Sequence, residues 1–106
     1  MLITTMNDIP GFQIDEVYGE VFGLTVRARN IGAQFGAGLK SLVGGEIGGL
    51  TKMLQEGRAQ AIDRLIAEAE KKGANAIIAM RFDSSEMMQM GTEICAYGTA
   101  VKISKI

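Results

Sequence analysis

The chain has 106 residues, with 11 basic against 12 acidic side chains and a formal charge of −1. Hydrophobic residues make up 47% and charged residues 22%, the balance of one soluble globular domain rather than a disordered chain. With no His, no Trp and one Cys, it excludes a Ser-His-Asp or Cys-His machine within one subunit, a His-based zinc site and any intrachain disulfide. Fourteen glycines stand against a single proline, so this is not a Pro-Gly linker either.

Charge and patterning exclude partners too. A nucleic-acid binder carries a basic stripe, and the nearest thing here is Arg27 and Arg29 with Lys40 farther on. No nucleic-acid partner is expected. Met1 to Asp8 has neither the basic start nor the apolar core of a signal peptide. Ile31 to Leu50 approaches membrane length, but Lys40, Glu46 and repeated glycines interrupt it, so no membrane span is expected. A lone Cys fits a reducing compartment, and the expected location is cytoplasmic.

Leu2 to Thr5 is a short β-rich start, and Ile9-Pro10-Gly11 reads as a turn. Phe12 to Arg29 is rich in Ile, Val, Tyr, Phe and Thr, which predicts one long strand bent or bulged at Gly19 and Gly23. Ile31, Phe35, Leu39 and Leu42 fall at helical spacing, but Gly32, Gly36 and Gly38 leave that helix marginal. After Gly44-Gly45 the segment Glu46 to Lys72 is the clearest element, a long helix closed by Gly73. Its apolar face holds Ile47, Leu50, Leu54, Ala61, Ile62, Leu65 and Ala69, and Glu68 with Lys72 makes a well-oriented i,i+4 pair. Ala74 to Ser84 and Thr92 to Ile103 read as strands joined by a hairpin through Ser85 to Gly91. The order predicts an α+β fold with the helices on one side of a small sheet.

Neither of the last two strands alternates apolar with polar. Ala76, Ile78, Met80 and Phe82 oppose Ile77 and Ala79; Cys95, Tyr97, Val101 and Ile103 oppose Ile94, Ala96 and Ala100. Both sheet faces are therefore apolar, and one dependable helix covers only one of them. A second copy of the chain is the simplest cover for the other, against an intrachain alternative in which the Gly-rich helix does so.

Four features invite chemistry. Arg58 sits within the apolar stripe, where a charge needs a partner: either a salt bridge to Glu16, Asp83 or Glu93, within the chain or across a subunit boundary, or an anion in a pocket. Gly44-Gly45 before a helix is a candidate anion cradle, without Walker or dinucleotide spacing and with Glu46 opposing phosphate, so a plain turn is the competing reading. Met87-Met88-Gln89-Met90 offers thioethers that suit a soft metal ion such as Cu(I), to which Cys95 adds a thiolate if the loop folds back. Methionines at an adaptable contact and a small buried hydrophobe at Cys95 are the structural alternatives. No catalytic residue is assigned, because no carboxylate pair has distinctive spacing.

Taken in order, Thr5 with Ile9-Pro10-Gly11, Gly19-Glu20-Val21, Val43-Gly44-Gly45-Glu46, Arg58 and Ala61, Gly73-Ala74-Asn75-Ala76 and Tyr97-Gly98-Thr99-Ala100-Val101 resemble the YbjQ-like family of small bacterial and archaeal proteins. The resemblance covers nearly the whole chain. It implies a dodecin-like β-α-β-β subunit, a two-layer antiparallel sheet of order 1-3-2 packed on one long helix, assembled as a cyclic homopentamer. It also implies a heavy-metal-binding label, for which a chain with no His and one Cys offers no clear ligand set. The expectation is a non-enzymatic ring-forming protein whose partner is itself, with a metal or small molecule, as in the flavin-storing dodecins, as its cargo, and a purely structural or interaction module is the alternative.

Overall fold

A computed structural model describes residues 1–28, 48–87 and 91–106. The marginal helix at 31–43, Gly44, Gly45, Met88 and Met90 lie outside them. The elements run β1 (Leu2–Ile3), β2 (Phe12–Ala28), α1 (Gly48–Lys71), β3 (Ala76–Glu86) and β4 (Gly91–Lys105). One helix and one sheet make the expected α+β fold.

The sheet itself corrects the expectation. Four strands, not three, form a mixed sheet in order β1-β3-β4-β2: β2, β4 and β3 pair antiparallel, and β1 is added parallel at the edge of β3. β1 pairs parallel with β3 through Leu2↔Ala76 and Ile3↔Ile77, and the Thr4 N–H extends the pairing to the Ile77 carbonyl at 3.0 Å. A two-residue strand has no alternation to read, so its pairing is decided by the strand edge it meets.

Local signals did hold where a backbone geometry demanded one residue type. The Phe12 N–H donates to the Ile9 carbonyl at 3.0 Å, closing the turn around Pro10-Gly11. Gly73, at φ +86°, ends α1: the Gly73 N–H reaches the Glu70 carbonyl and the Ala74 N–H reaches back to the Ala69 carbonyl at 3.1 Å. That is the Schellman pair, and Ala69 and Ala74 are packed in one cluster across it. The long strand bulges at Gly19 (φ +101°), where the register shifts between Val17 and Gly19. Gly23 is in regular register instead, and its role is a close approach described below.

The alternation expected for β3 breaks at Ala79. This residue has φ +53°, and the register jumps from Ile78↔Thr99 to Arg81↔Tyr97. The bulge turns the Ala79 N–H to the Met6 carbonyl (2.7 Å) and the Met80 N–H to the Thr4 carbonyl (3.0 Å). One extra residue moves Phe82 off the face of Ala76 and Ile78 and onto the face of Ile77, against α1.

Two clusters result. Leu65, Ala61 and Ala69 of α1 pack on Val21, Ile77, Ile94, Ala96 and Ala100. On the opposite face Ala76, Ile78, Val101 and Ile103 are covered by Ile9 and Phe12, so this chain's own N-terminal turn seals that end. Asn75 strengthens it: its side-chain amide donates to the Ile103 carbonyl (3.0 Å) and accepts from the Ile103 N–H (2.8 Å), copying a strand pairing.

Candidate functional site

The site follows from where α1 lies on the sheet. Its contact ridge is Gly57, Ala61, Leu65 and Ala69, all at i,i+4 spacing and all buried. Gly23 of β2 admits the helix backbone, because a Cβ there would stand 2.0 Å from the Ala61 carbonyl oxygen. At Gly57 the neighbours are the Ile94 and Arg27 side chains. Arg64 and Lys72 reach past the edge of β2, donating to the Leu24 and Glu20 carbonyls. Buried Thr25 donates its hydroxyl proton to Gln60 at 2.7 Å. The helix is thus tied to β2 and β4, and among the described residues nothing caps the matching face of β3 near the hairpin.

That gap is a cavity of about 560 Å³ between the first half of α1 and the β3–β4 hairpin. Pockets for small molecules span roughly 300–1,000 Å³. Arg58, Gln55 and Leu54 line it from the helix; Ser84, Ser85 and Glu86 from β3; Thr92 and Ile94 from β4. The Arg58 guanidinium carbon stands 4.9 Å from the Phe82 ring centroid, a cation–π contact that steers the side chain along the cavity wall.

Arg58 therefore makes no such salt bridge within the chain. Among the described residues it pairs with none of Glu16, Asp83 and Glu93. The apolar stripe explains the correction. The buried ridge is centred on Ala61 and Leu65, whereas Leu54 is exposed and Ile62 half-buried. Arg58 is one residue beyond Gly57, on the shoulder of the helix rather than under it. The expected Glu68–Lys72 pair is replaced by Lys71 to Glu68 at 3.1 Å, because Lys72 is engaged by the β2 carbonyl.

The soft-metal candidates are only partly described. Met87 lies at the end of β3, its N–H donating to the Gly91 carbonyl at 2.9 Å. Cys95 pairs with Asp83 four residues farther along the ladder, about 13 Å away at strand spacing, so one ion does not reach both. Cys95 is a free, half-buried thiol. Burial pushes its pKa up, and the Glu93 and Asp83 carboxylates push it in the same direction. Among the described residues no group of three His, Cys, Asp or Glu side chains is placed to hold a metal ion. Reasoning from sequence missed Phe82, Ser84, Ser85 and Thr92. The available signal was the switch from Ile77-Ile78 to Asp83-Ser84-Ser85-Glu86 within one strand, which marks the end left without helix cover.

The profile of a family described as "Putative heavy-metal-binding" matches residues 1–104. The chain belongs to the YbjQ family. Its YbjQ-family relatives include a "UPF0145 protein" of Acidothermus cellulolyticus, 61% identical over all of this chain and 98% of the relative. Another, from Streptomyces griseus, is 58% identical over the whole chain and 88% of the relative. The "UPF0145 protein YjfJ" of Lactococcus lactis is 56% identical, covering 97% of its length. Among solved structures, a protein with unknown function of the DUF74 family from Pediococcus pentosaceus matches with a TM-score of 0.58. At 18% identity over 98% of both chains, it supports the fold of this YbjQ-family chain. No helix among the described residues is long and apolar enough to cross a membrane.

Proposed function

We propose that this chain is a non-enzymatic protein that assembles into a ring, a homopentamer of dodecin-like subunits, and works by binding. The observation that carries this reading is the sheet face opposite α1. There Phe22, Leu24 and Val26 project in succession from edge strand β2 and are 51%, 47% and 50% exposed. Tyr97 extends the patch across β4, its ring centroid 6.4 Å from that of Phe22. A contiguous apolar patch of this kind is the mark of an association surface. The outer edge of β2 is guarded, since Arg64 and Lys72 occupy its Leu24 and Glu20 carbonyls. Charges along an edge discourage open-ended strand pairing, which favours association through the face and a closed assembly.

Two further facts favour binding over catalysis. The chain has no His, and its one thiol is held toward the protonated, weakly nucleophilic form. The cavity beside Arg58 supports small-molecule binding or storage. The family description favours a soft metal as the second reading, with the thioethers of Met87, Met88 and Met90 as its candidate ligands and Cys95 too far along the ladder to share an ion with Met87. Light scattering after size exclusion tests the assembly: the expected particle is about five times the 11.3 kDa chain. A monodisperse particle of 11.3 kDa overturns it. Anaerobic Cu(I) titration of Met88→Leu/Met90→Leu beside the wild type tests the metal, and equal uptake removes the methionines from the site.

A further inference from the structure

We propose that the cavity between α1 and the β3–β4 hairpin binds a small organic monocarboxylate with an apolar body, its carboxylate held by Arg58. The proposal deepens the small-molecule part of the function above and is separable from the ring, because the described lining residues it uses belong to a single chain.

The chemistry is read from the walls. A guanidinium presents planar, paired N–H donors that match the two oxygens of a carboxylate. Phe82 packs beneath the Arg58 guanidinium and holds it at the cavity without using those in-plane donors. No described carboxylate completes an ion pair with it. Beside it, exposed Leu54 gives an apolar surface for the ligand's body, and the Ser84 hydroxyl lies on the β3 wall.

Charge narrows the class. Among the described lining residues Arg58 is the one cation. A phosphate dianion would bring a second negative charge with no second cation among the described lining residues to meet it. A monocarboxylate brings one, and its body replaces water on exposed Leu54, where burial of apolar surface favours binding.

Hexanoate is the probe, and hexylammonium, of similar size and opposite charge, is its control. Backbone amide spectra of the ¹⁵N-labelled protein are recorded through both titrations. Hexanoate is expected to shift the amides of Arg58, Ser84, Ser85 and Ile94, while hexylammonium leaves them in place. Arg58→Gln weakens hexanoate binding by about tenfold or more, and Arg58→Lys, which keeps the charge but loses the fork, weakens it less. Ser84→Phe fills the cavity from β3 without altering charge and removes the shifts. Both positions are exposed, and spectra matching the wild type away from the cavity confirm that each variant is folded. Absent shifts, shifts centred on Phe22, Leu24 and Tyr97, an equal response to hexylammonium, or an unchanged affinity in Arg58→Gln overturn the site. Light scattering on the same samples reports the assembly separately, so failure of the ring and failure of the pocket are distinct results.

Discussion

Gly23 of β2 lies directly against the Ala61 carbonyl of α1, so close that an added Cβ would stand 2.0 Å from that oxygen and 2.5 Å from the Leu65 nitrogen. This contact joins the longest strand to the only described helix. It sets the helix over β2 and β4 and, as a consequence, opens the cavity above β3.

Backbone atoms cannot swing aside as a side chain can. Gly23→Ala is therefore expected to destabilise the fold by about 3 kcal/mol, the upper end of overpacking costs. Gly57→Ala is the contrast, since its nearest obstacle is the Ile94 Cδ1 at 2.6 Å, the end of a rotatable side chain. There the gain in helix propensity, about 1 kcal/mol, offsets the local adjustment. Urea denaturation midpoints of the two variants are expected to separate widely, with Gly57→Ala near the wild type.

Ala79 holds a left-handed backbone at φ +53° inside the β3 bulge. An L-residue with a Cβ is strained there by roughly 1–2 kcal/mol, part of which glycine returns as unfolded-state entropy. Ala79→Gly should raise stability by about 1 kcal/mol, measured by urea denaturation. An unchanged or lowered midpoint would show that the bulge is not strained.

The apolar patch on β2 makes a specific demand. Leu24→Asp places a charge at its centre on a residue that is 47% exposed in the single chain. The folded subunit tolerates that charge; an apolar contact between copies does not. Light scattering should report a fall in mass toward 11.3 kDa with unchanged far-ultraviolet circular dichroism. Retention of the wild-type mass would place the interface elsewhere.

Cys95 supplies a pH dependence with a definite sign. Its pKa is raised in the folded chain, by burial first and then by Glu93 and Asp83. Between the unfolded and the folded pKa the native state binds more protons, so stability falls as pH rises through that alkaline interval. Below the unfolded pKa this contribution is fully present. Removing the negative neighbours with Asp83→Asn and Glu93→Gln lowers the pKa and should speed iodoacetamide alkylation at pH 8 by roughly threefold. An unchanged rate would show that the carboxylates do not act on the thiol.

How far the sequence could be read depends on the range of each signal. The turn at Pro10-Gly11, the bulge at Gly19 and the cap at Gly73 were legible because a single residue type meets a local backbone demand. The faces of β4 were legible because its alternation runs unbroken from Ile94 to Ile103. The faces of β3 were not, because one extra residue at Ala79 exchanges every side chain beyond it. Arg58 was visible as a charge needing a partner, but whether that partner is a carboxylate or an aromatic ring depended on which strand passes beneath it.

Composition alone determined that this chain has no histidine chemistry and no intrachain disulfide, and its periodicity placed the long helix and the three long strands. Those are properties of residue type and of spacing within one element. The tertiary structure decided that β1 joins the sheet, that the N-terminal turn seals one end of the far face, and that Phe82 turns toward the helix. It also decided that α1 rests on β2 and leaves β3 open beside Arg58. Each of these depends on a contact between segments distant in the chain, where two surfaces must fit at once and no pattern within either one records the other.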